Sequence, residues 1–290
     1  MATPSCRGRF ATRPCGWILW RFGERKVKSS ESQIIYGRHP VLAALRRPDT
    51  PLDEVIIAQE AAGPWLEEVR ALCRAAGVRL RLRERPFLDR LVGGARHQGV
   101  CARRAGWVYQ TESRLLALVP DLPRPRLLVA ADGLTDPMNL GNLCRTALAA
   151  GAQGLILPRD RSVGLTPAVA KAAAGALEFL PLFRVTNLSQ CLLGLKDLGF
   201  WVTGADVQAS LSLFAADLTP CLVLVIGSEG KGLRPRVRRT CDLLVTIPLA
   251  APEVGSLNAA SAGAVCLFEI RRQRLALPPG GQDPGRTGKT

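Results

Sequence analysis

The chain has 290 residues, 47% of them hydrophobic, which marks a globular protein and excludes a disordered one. Its net charge of +15, carried mostly by arginine, favours a polyanionic partner, nucleic acid or an anionic membrane surface; the guanidinium fork matches phosphate oxygens, which puts nucleic acid ahead of a basic protein that is merely soluble. Two histidines (His39 and His97), nine cysteines without a C-x-x-C pair, and no apolar run of membrane-spanning length weigh against a zinc site, a Ser-His-Asp enzyme and a transmembrane protein.

The first elements are those of a small α/β unit. Residues 1–33 form a basic leader, expected to be disordered; its apolar piece "GWILW" is too short for a signal-peptide core. It can be a mitochondrial transit segment, an RNA-binding arm, or an artefact of the start codon. "IIYGRHPVLAALRR" reads as strand, turn and helix, with Pro40 in the first helical turn. "LDEVIIAQ" is a strand, and "PWLEEVRALCRAAGV" is an amphipathic helix with Trp65, Val69, Leu72 and Cys73 on one face. "RLRLRERPFLDRLVG" gives a strand and a short helix, and "GVCARRA" gives a closing strand. This unit is expected over residues 34–105, followed by a semi-rigid linker over 106–126 because "PDLPRPR" is dense in proline.

From "LLVAAD" onward, strands alternate with helices up to "SLNAASAGAVCLFEIRRQR". That order predicts a mostly parallel sheet with helices on both faces over 127–273. A Pro/Gly-rich tail over 274–290 is expected to be disordered. The odd cysteine count, with several in apolar runs such as "CLVLVIG", reads as buried thiols of a reducing compartment. Both histidines are expected in structural or surface roles.

Three stretches carry candidate chemistry. In "DPMNLGNLCRTALAAGA", Asn139 or a neighbour can cap a helix whose buried stripe is Leu140, Leu143, Cys144, Ala147 and Leu148. Arg145 lies off that stripe, facing solvent, a cleft edge or a second subunit. In "LVLVIGSEGKGL", a strand delivers Gly227 to a glycine-rich turn; it is neither a P-loop nor a G-x-G-x-x-G fingerprint, and taken alone it is as much a plain turn as a ligand loop. In "IPLAAPEVGSLNAASAG", Ser256 or Asn258 can cap a helix of small residues.

Together, in this order and spacing, "DPMNLGNLCR", "IGSEGKGL" and "IPL…SLNAASAG" closely resemble the three motifs of SPOUT-class RNA methyltransferases of the TrmH type, which methylate ribose 2′-hydroxyls. "IYGRHPVLAAL" and "RHQGV" resemble the substrate-binding domain of bacterial family members that act on a guanosine of 23S ribosomal RNA. The resemblance covers nearly all of residues 34–273. It implies a catalytic domain with a C-terminal trefoil knot, S-adenosylmethionine as cofactor, RNA as partner, no metal, and a homodimer with the active site near the subunit interface. Gly227, Ile247 and Leu257 match cofactor-contacting positions, and Asn139, Arg145, Glu229, Ser256 and Asn258 match functional polar positions. Met138 and Ala259 depart from the family's usual residues and read as packing variation. The compartment implied is the cytoplasm, or the mitochondrial matrix if the leader is a transit segment.

The resemblance also implies that Arg145 serves the substrate. Family proposals make this arginine the general base, but a guanidinium stays protonated in proteins. Arg145 is expected instead to grip the phosphate beside the target ribose and stabilise developing alkoxide charge. Asn139 is expected to orient Arg145 or the ribose, and Glu229 to fix the loop or Arg145. Arg38, Arg79, Arg81, Arg83, Arg85 and Arg96 of the small unit are expected to bind RNA backbone, with Arg103 and Arg104 adding charge nearby; residues two apart on a strand share a face. Competing readings are a transfer-RNA methyltransferase, a noncatalytic RNA-binding assembly factor, and a doubly wound oxidoreductase, the last lacking the glycine fingerprint.

Overall fold

A computed structural model of the protein describes residues 32–47, 50 and 52–277. The leader expected over 1–33 lies outside them but for its last two residues, which enter the first strand, and the tail beyond 277 lies outside them too. The small unit contains β1 (Ser32–Tyr36), α1 (Arg38–Leu45), β2 (Leu52–Ala58), α2 (Trp65–Ala76), β3 (Arg79–Arg83), α3 (Arg85–Leu91) and β4 (Val100–Ala105). Its sheet runs β1-β4-β2-β3, so the last strand in sequence is inserted centrally. Alternation along β2 sends Val55 and Ile57 toward α1 and α2, and Ile56 and Ala58 toward α3.

The segment 106–126, expected as a linker, is folded: it forms β5 (Gln110–Thr111) and α4 (Glu112–Leu118). Thr111 caps α4 by accepting the Arg114 N–H, Leu115 and Val119 are buried, and β5 pairs with the main sheet. The prolines around 120–125 drew attention from this short amphipathic helix, which is held by tertiary burial.

The large unit continues with β6 (Leu127–Asp132), α5 (Pro137–Ala150), β7 (Leu155–Pro158), α6 (Pro167–Ala173), β8 (Leu182–Val185), α7 (Leu188–Asp197), β9 (Trp201–Ala205), β10 (Leu211–Ser212), β11 (Leu222–Gly227), α8 (Pro235–Thr240), β12 (Leu243–Thr246) and α9 (Ala259–Leu275). Every pairing in its eight-stranded sheet, ordered β10-β12-β9-β11-β6-β7-β8-β5, is parallel. Both faces are covered. Leu127, Val129 and Ala131 of β6 pack toward α5, α6 and α9, while Leu128 and Ala130 pack toward α4 and α7. "TPAVAKAAAGALEFL" does not form one helix: α6 stops where Ala174 and Gly175 take positive φ, and a 3-10 turn (Ala176–Glu178) follows. α9 runs to Leu275, into the start of the expected tail.

The two units share one apolar core on the α1/α2 and α5/α6 side. They are also joined by a buried carboxylate. Glu178, 8% exposed, pairs with Arg104, accepts from Trp107 Nε1 (3.3 Å) and Thr50 Oγ1 (3.1 Å), and its carbonyl accepts from Arg47. Arg104, expected to add charge for RNA, is thus spent inside the protein at 6% exposure. Burial lowers its pKa and the neighbouring Glu178 opposes that shift.

Cys73, Cys101, Cys144, Cys191, Cys221, Cys241 and Cys266 are free thiols, all but Cys241 buried; Cys6 and Cys15 lie outside the described residues. His97 is structural: Nδ1 accepts the Gly99 N–H at 3.1 Å, which leaves Nε2 to donate to Asp89 at 2.9 Å.

Candidate active site

The parallel strands put the loops after β6, β11 and β12 on one edge of the sheet, the edge where open α/β sheets bind ligands. Asp132 ends β6 directly beside Gly227, which ends β11. Asp136 caps α5 by accepting the Asn139 N–H at 2.9 Å. The cap is therefore Asp136 and not Asn139, whose side chain is released for other work. Gly141 lets α6 close on this turn, since a Cβ there would lie 2.6 Å from the Val169 carbonyl oxygen.

The turn after β11 folds back tightly. Ser228 and Gly232 exchange backbone hydrogen bonds at 3.1 and 2.9 Å, and Gly230 and Gly232 have φ of +74° and +61°. A Cβ on Gly227 would lie 2.3 Å from the Gly232 carbonyl carbon, so the returning loop itself demands glycine there. The far end of the turn is pinned to β6: fully buried Asp132 accepts the Arg234 N–H at 2.8 Å and its Nε at 2.5 Å. Sequence reasoning missed this pair; the one signal was an aspartate closing an otherwise apolar strand.

The turn presents Glu229 to two asparagines. Asn139 Nδ2 donates to Glu229 Oε1 at 2.9 Å, and Asn258 Nδ2 donates to the same oxygen at 2.5 Å and to Asn139 Oδ1 at 2.8 Å. Asn258 Oδ1 caps α9, accepting the N–H groups of Ala260 (2.9 Å) and Ser261 (3.2 Å). The cap thereby fixes the amide orientation: with the oxygen committed to the helix, only the nitrogen can face the carboxylate. The N-termini of α5 and α9 converge on one anionic group, which the partial positive charge of each helix end favours.

The other expected residues are placed as follows. Gly227 and Ile247 follow strands on either side of β9, so their loops flank the end of that strand. Ile247 and Leu257 are half-buried; Ser256 is exposed and uses its N–H on the Val254 carbonyl at 2.8 Å. Arg145 is exposed on α5, six residues beyond Asn139, which is about 9 Å along the axis and about 120° around it. It makes no hydrogen bond or ion pair among the described residues. Glu229 therefore holds the two asparagines together and does not hold Arg145 within this chain.

On the small unit, Arg79, Arg81 and Arg83 alternate along edge strand β3, all exposed. Glu54 sits among them, 3.2 Å from Arg81 Nε and 3.2 Å from Arg103 Nε. Arg85 has left the strand and opens α3. Arg38 stacks over Trp65 at 4.7 Å, and Arg96 lies exposed near Lys171, whose pKa is lowered by burial and by that arginine. Among the described residues no cluster of side chains could hold a metal ion, and no helix is long and apolar enough to cross a membrane.

Two family models match the chain: the SpoU rRNA Methylase family over residues 126–268, and the RNA 2′-O ribose methyltransferase substrate-binding domain over 34–105. A 23S rRNA (guanosine-2′-O-)-methyltransferase RlmB of Yersinia pestis is 43% identical, across 84% of this chain and 98% of its own length. The RlmB of Escherichia coli strain K12 is 41% identical, across 84% of this chain and 99% of its own. The crystal structure of the SpoU methyltransferase AviRb from Streptomyces viridochromogenes with the cofactor AdoMet is 26% identical, with a TM-score of 0.71, and covers 88% of this chain and 95% of that one.

Proposed function

The chain belongs to the SpoU rRNA methylase family, and on that premise we propose how its own residues serve the methylation of RNA. The protein is an S-adenosylmethionine-dependent RNA 2′-O-methyltransferase whose substrate is a guanosine ribose of 23S ribosomal RNA. One observation carries the assignment of the site: Asn139, Glu229 and Asn258, from three separate loops, close into a single hydrogen-bonded cluster at the ligand-binding edge of the sheet.

The residues of this chain suit the cofactor. Between Ile247 and Leu257, among the described residues, two backbone hydrogen bonds stand outside regular helices and strands, Val254 N–H to Ala251 and Ser256 N–H to Val254. Open amide groups beside the half-buried side chains of Ile247 and Leu257 offer a planar base both apolar walls and hydrogen-bonding edges. Gly227, Ile247 and Leu257 are the residues that would hold it, and bound S-adenosylmethionine supplies an electrophilic methyl carbon on a positively charged sulfur. A trefoil knot formed by these loops belongs to the same reading.

The chain's task is then alignment and charge. Glu229 and Asn258 hold Asn139 in one orientation, so that the ribose meets a preset polar edge. Arg145 grips the phosphate next to that ribose and stabilises the oxygen as its proton leaves. Since Arg145 and Asn139 point to different sides of α5, we assign Arg145 to the site of a second copy of the chain in a homodimer. The exposed stripe of Met138, Asn142, Arg145 and Ala149 on α5, and exposed Phe268 on α9, support that pairing. Arg38, Arg79, Arg81, Arg83, Arg85 and Arg96 bind RNA backbone. The cytoplasm goes with this reading.

Mapping 2′-O-methyl marks on ribosomal RNA from cells with and without the protein tests the substrate: one guanosine mark must vanish with it. Arg145→Ala is expected to lower turnover by about two to four decades while sparing cofactor binding; wild-type turnover removes Arg145 from the mechanism. Mixing Arg145→Ala with Asn258→Ala protomers tests the dimer. If Arg145 acts across the interface, mixed dimers regain one intact site; if it acts within its own chain, they stay inactive. RNA affinity is expected to fall steeply with salt.

A further inference from the structure

Between the two units lies a cleft of about 660 Å³. One wall is the small unit's α1, with Leu42 and Arg46; the other is α5, with Arg145 and Leu148; the floor is the break after α6, with Ala174 and Phe179. We propose that this cleft receives an unstacked nucleobase of the RNA, neighbouring the methylated guanosine, with Phe179 as its stacking platform. The proposal rests on the RNA-methyltransferase reading and adds to it a base-binding site away from the Asn139–Glu229–Asn258 cluster.

Four features support this occupant. Phe179 is 38% exposed, with the Arg47 guanidinium 5.9 Å from its ring centroid, leaving part of the side chain open to a base. Single-stranded RNA is read mainly by splaying bases onto aromatic rings and arginine planes. The floor is shaped by strain: Ala174 has φ of +49°, a conformation non-glycine residues seldom adopt, and it turns the chain away so that the cleft stays open. The rim is basic. Arg46 is held at the mouth by Glu68 at 2.5 Å, whereas Arg145 is charged and unpaired among the described residues, so a phosphate has a cation waiting beside the apolar floor. Finally, the cleft is preformed, since the Glu178 latch adjoins Phe179 and fixes the distance between the walls. The chain's own leader is a poor occupant of a basic cleft: residues 1–31 carry seven Lys and Arg against two Glu.

The test uses the full chain and unmodified 23S ribosomal RNA, with abasic nucleotides placed one at a time around the methylated guanosine. Phe179→Ala removes the platform, and Glu68→Trp fills the mouth of the cleft from the exposed face of α2, away from the α5 stripe and without loss of a cation. Both are expected to raise the KM for RNA by about fivefold or more, with the Kd for S-adenosylmethionine unchanged. One abasic position should weaken the wild type by the same factor and Phe179→Ala no further. The proposal is overturned if both variants keep the wild-type KM, or if every abasic loss adds to that of Phe179→Ala. If wild-type protein binds cofactor but methylates no ribosomal RNA, the functional reading fails instead; anisotropy with the same RNA then still decides whether the cleft holds a base. Recovery of RNA affinity on removing residues 1–31 from the wild type would show the leader, and not RNA, to be the occupant.

Discussion

Glu229 and Glu178 are both carboxylates gripped by several donors from distant parts of the chain, yet they are held for opposite ends. Glu229 is exposed, and its partners are the neutral amides of Asn139 and Asn258, both on one oxygen. Its other oxygen has no hydrogen bond among the described residues. Glu178 is buried, pairs with the guanidinium of Arg104, and has both oxygens engaged. A carboxylate whose valence is filled by charge inside the protein holds architecture together. One held by neutral donors, with an oxygen to spare at a loop edge, is available to a ligand.

The largest way to break this contrast is Glu178→Ala. It removes the carboxylate that Arg104, Trp107 and Thr50 share in a buried site, and is expected to cost about 3–5 kcal/mol in a denaturant titration. An unchanged midpoint would demote the latch to an incidental contact. Next comes Glu229→Ala, which removes the acceptor shared by Asn139 and Asn258 but no buried charge. Turnover should fall on the order of a hundredfold through misplacement of Asn139, with the unfolding midpoint hardly moved. A stability loss as large as that of Glu178→Ala would erase the distinction.

Asn258 sharpens the comparison because it serves both purposes at once. Asn258→Ala removes the α9 cap and should cost about 0.5–2 kcal/mol as well as activity. Asn258→Asp keeps a capping oxygen but sets a second carboxylate against Glu229, so it should retain more of the stability while still losing turnover. Equal stability loss in both variants would mean that the cap is not what this side chain contributes.

The effect that is smallest at neutral pH concerns the thiols. Burial pushes Cys101, Cys144, Cys191, Cys241 and Cys266 from 9.0 up to about 12. Above their ordinary value the unfolded chain sheds these protons and the folded chain keeps them. Stability should therefore be level near neutrality and decline as pH rises from about 9 toward 12. Urea midpoints across that range check this, as does the inertness of these thiols to alkylating reagents at neutral pH.

Much of the fold was legible locally. Short apolar runs placed β2, β6 and β11, and the helical spacing of Trp65, Val69, Leu72 and Cys73 placed α2, because a strand covered on both faces is apolar throughout while burial of one helix face imposes a period. Residues 106–126 were misread because α4 has only seven residues and is sustained by the sheet edge it covers. Of the candidate site, Asn139, Glu229 and Asn258 were legible as separate polar positions, but their contacts span 29 to 119 residues. Gly227 carries a second demand that the sequence did not show: it matched a ligand position, and its own returning loop also requires glycine there.

The order of residues alone determined the period of each element, the alternation that makes the large sheet parallel, the basic character, and which polar groups stand at helix starts. These follow from short-range sterics and from the burial of apolar faces. Tertiary structure alone decided that Asn139, Glu229 and Asn258 meet in one cluster, that Arg104 is consumed by Glu178, and that Arg145 lines a cleft between units. Each outcome was set by distances between segments that are apart in the chain.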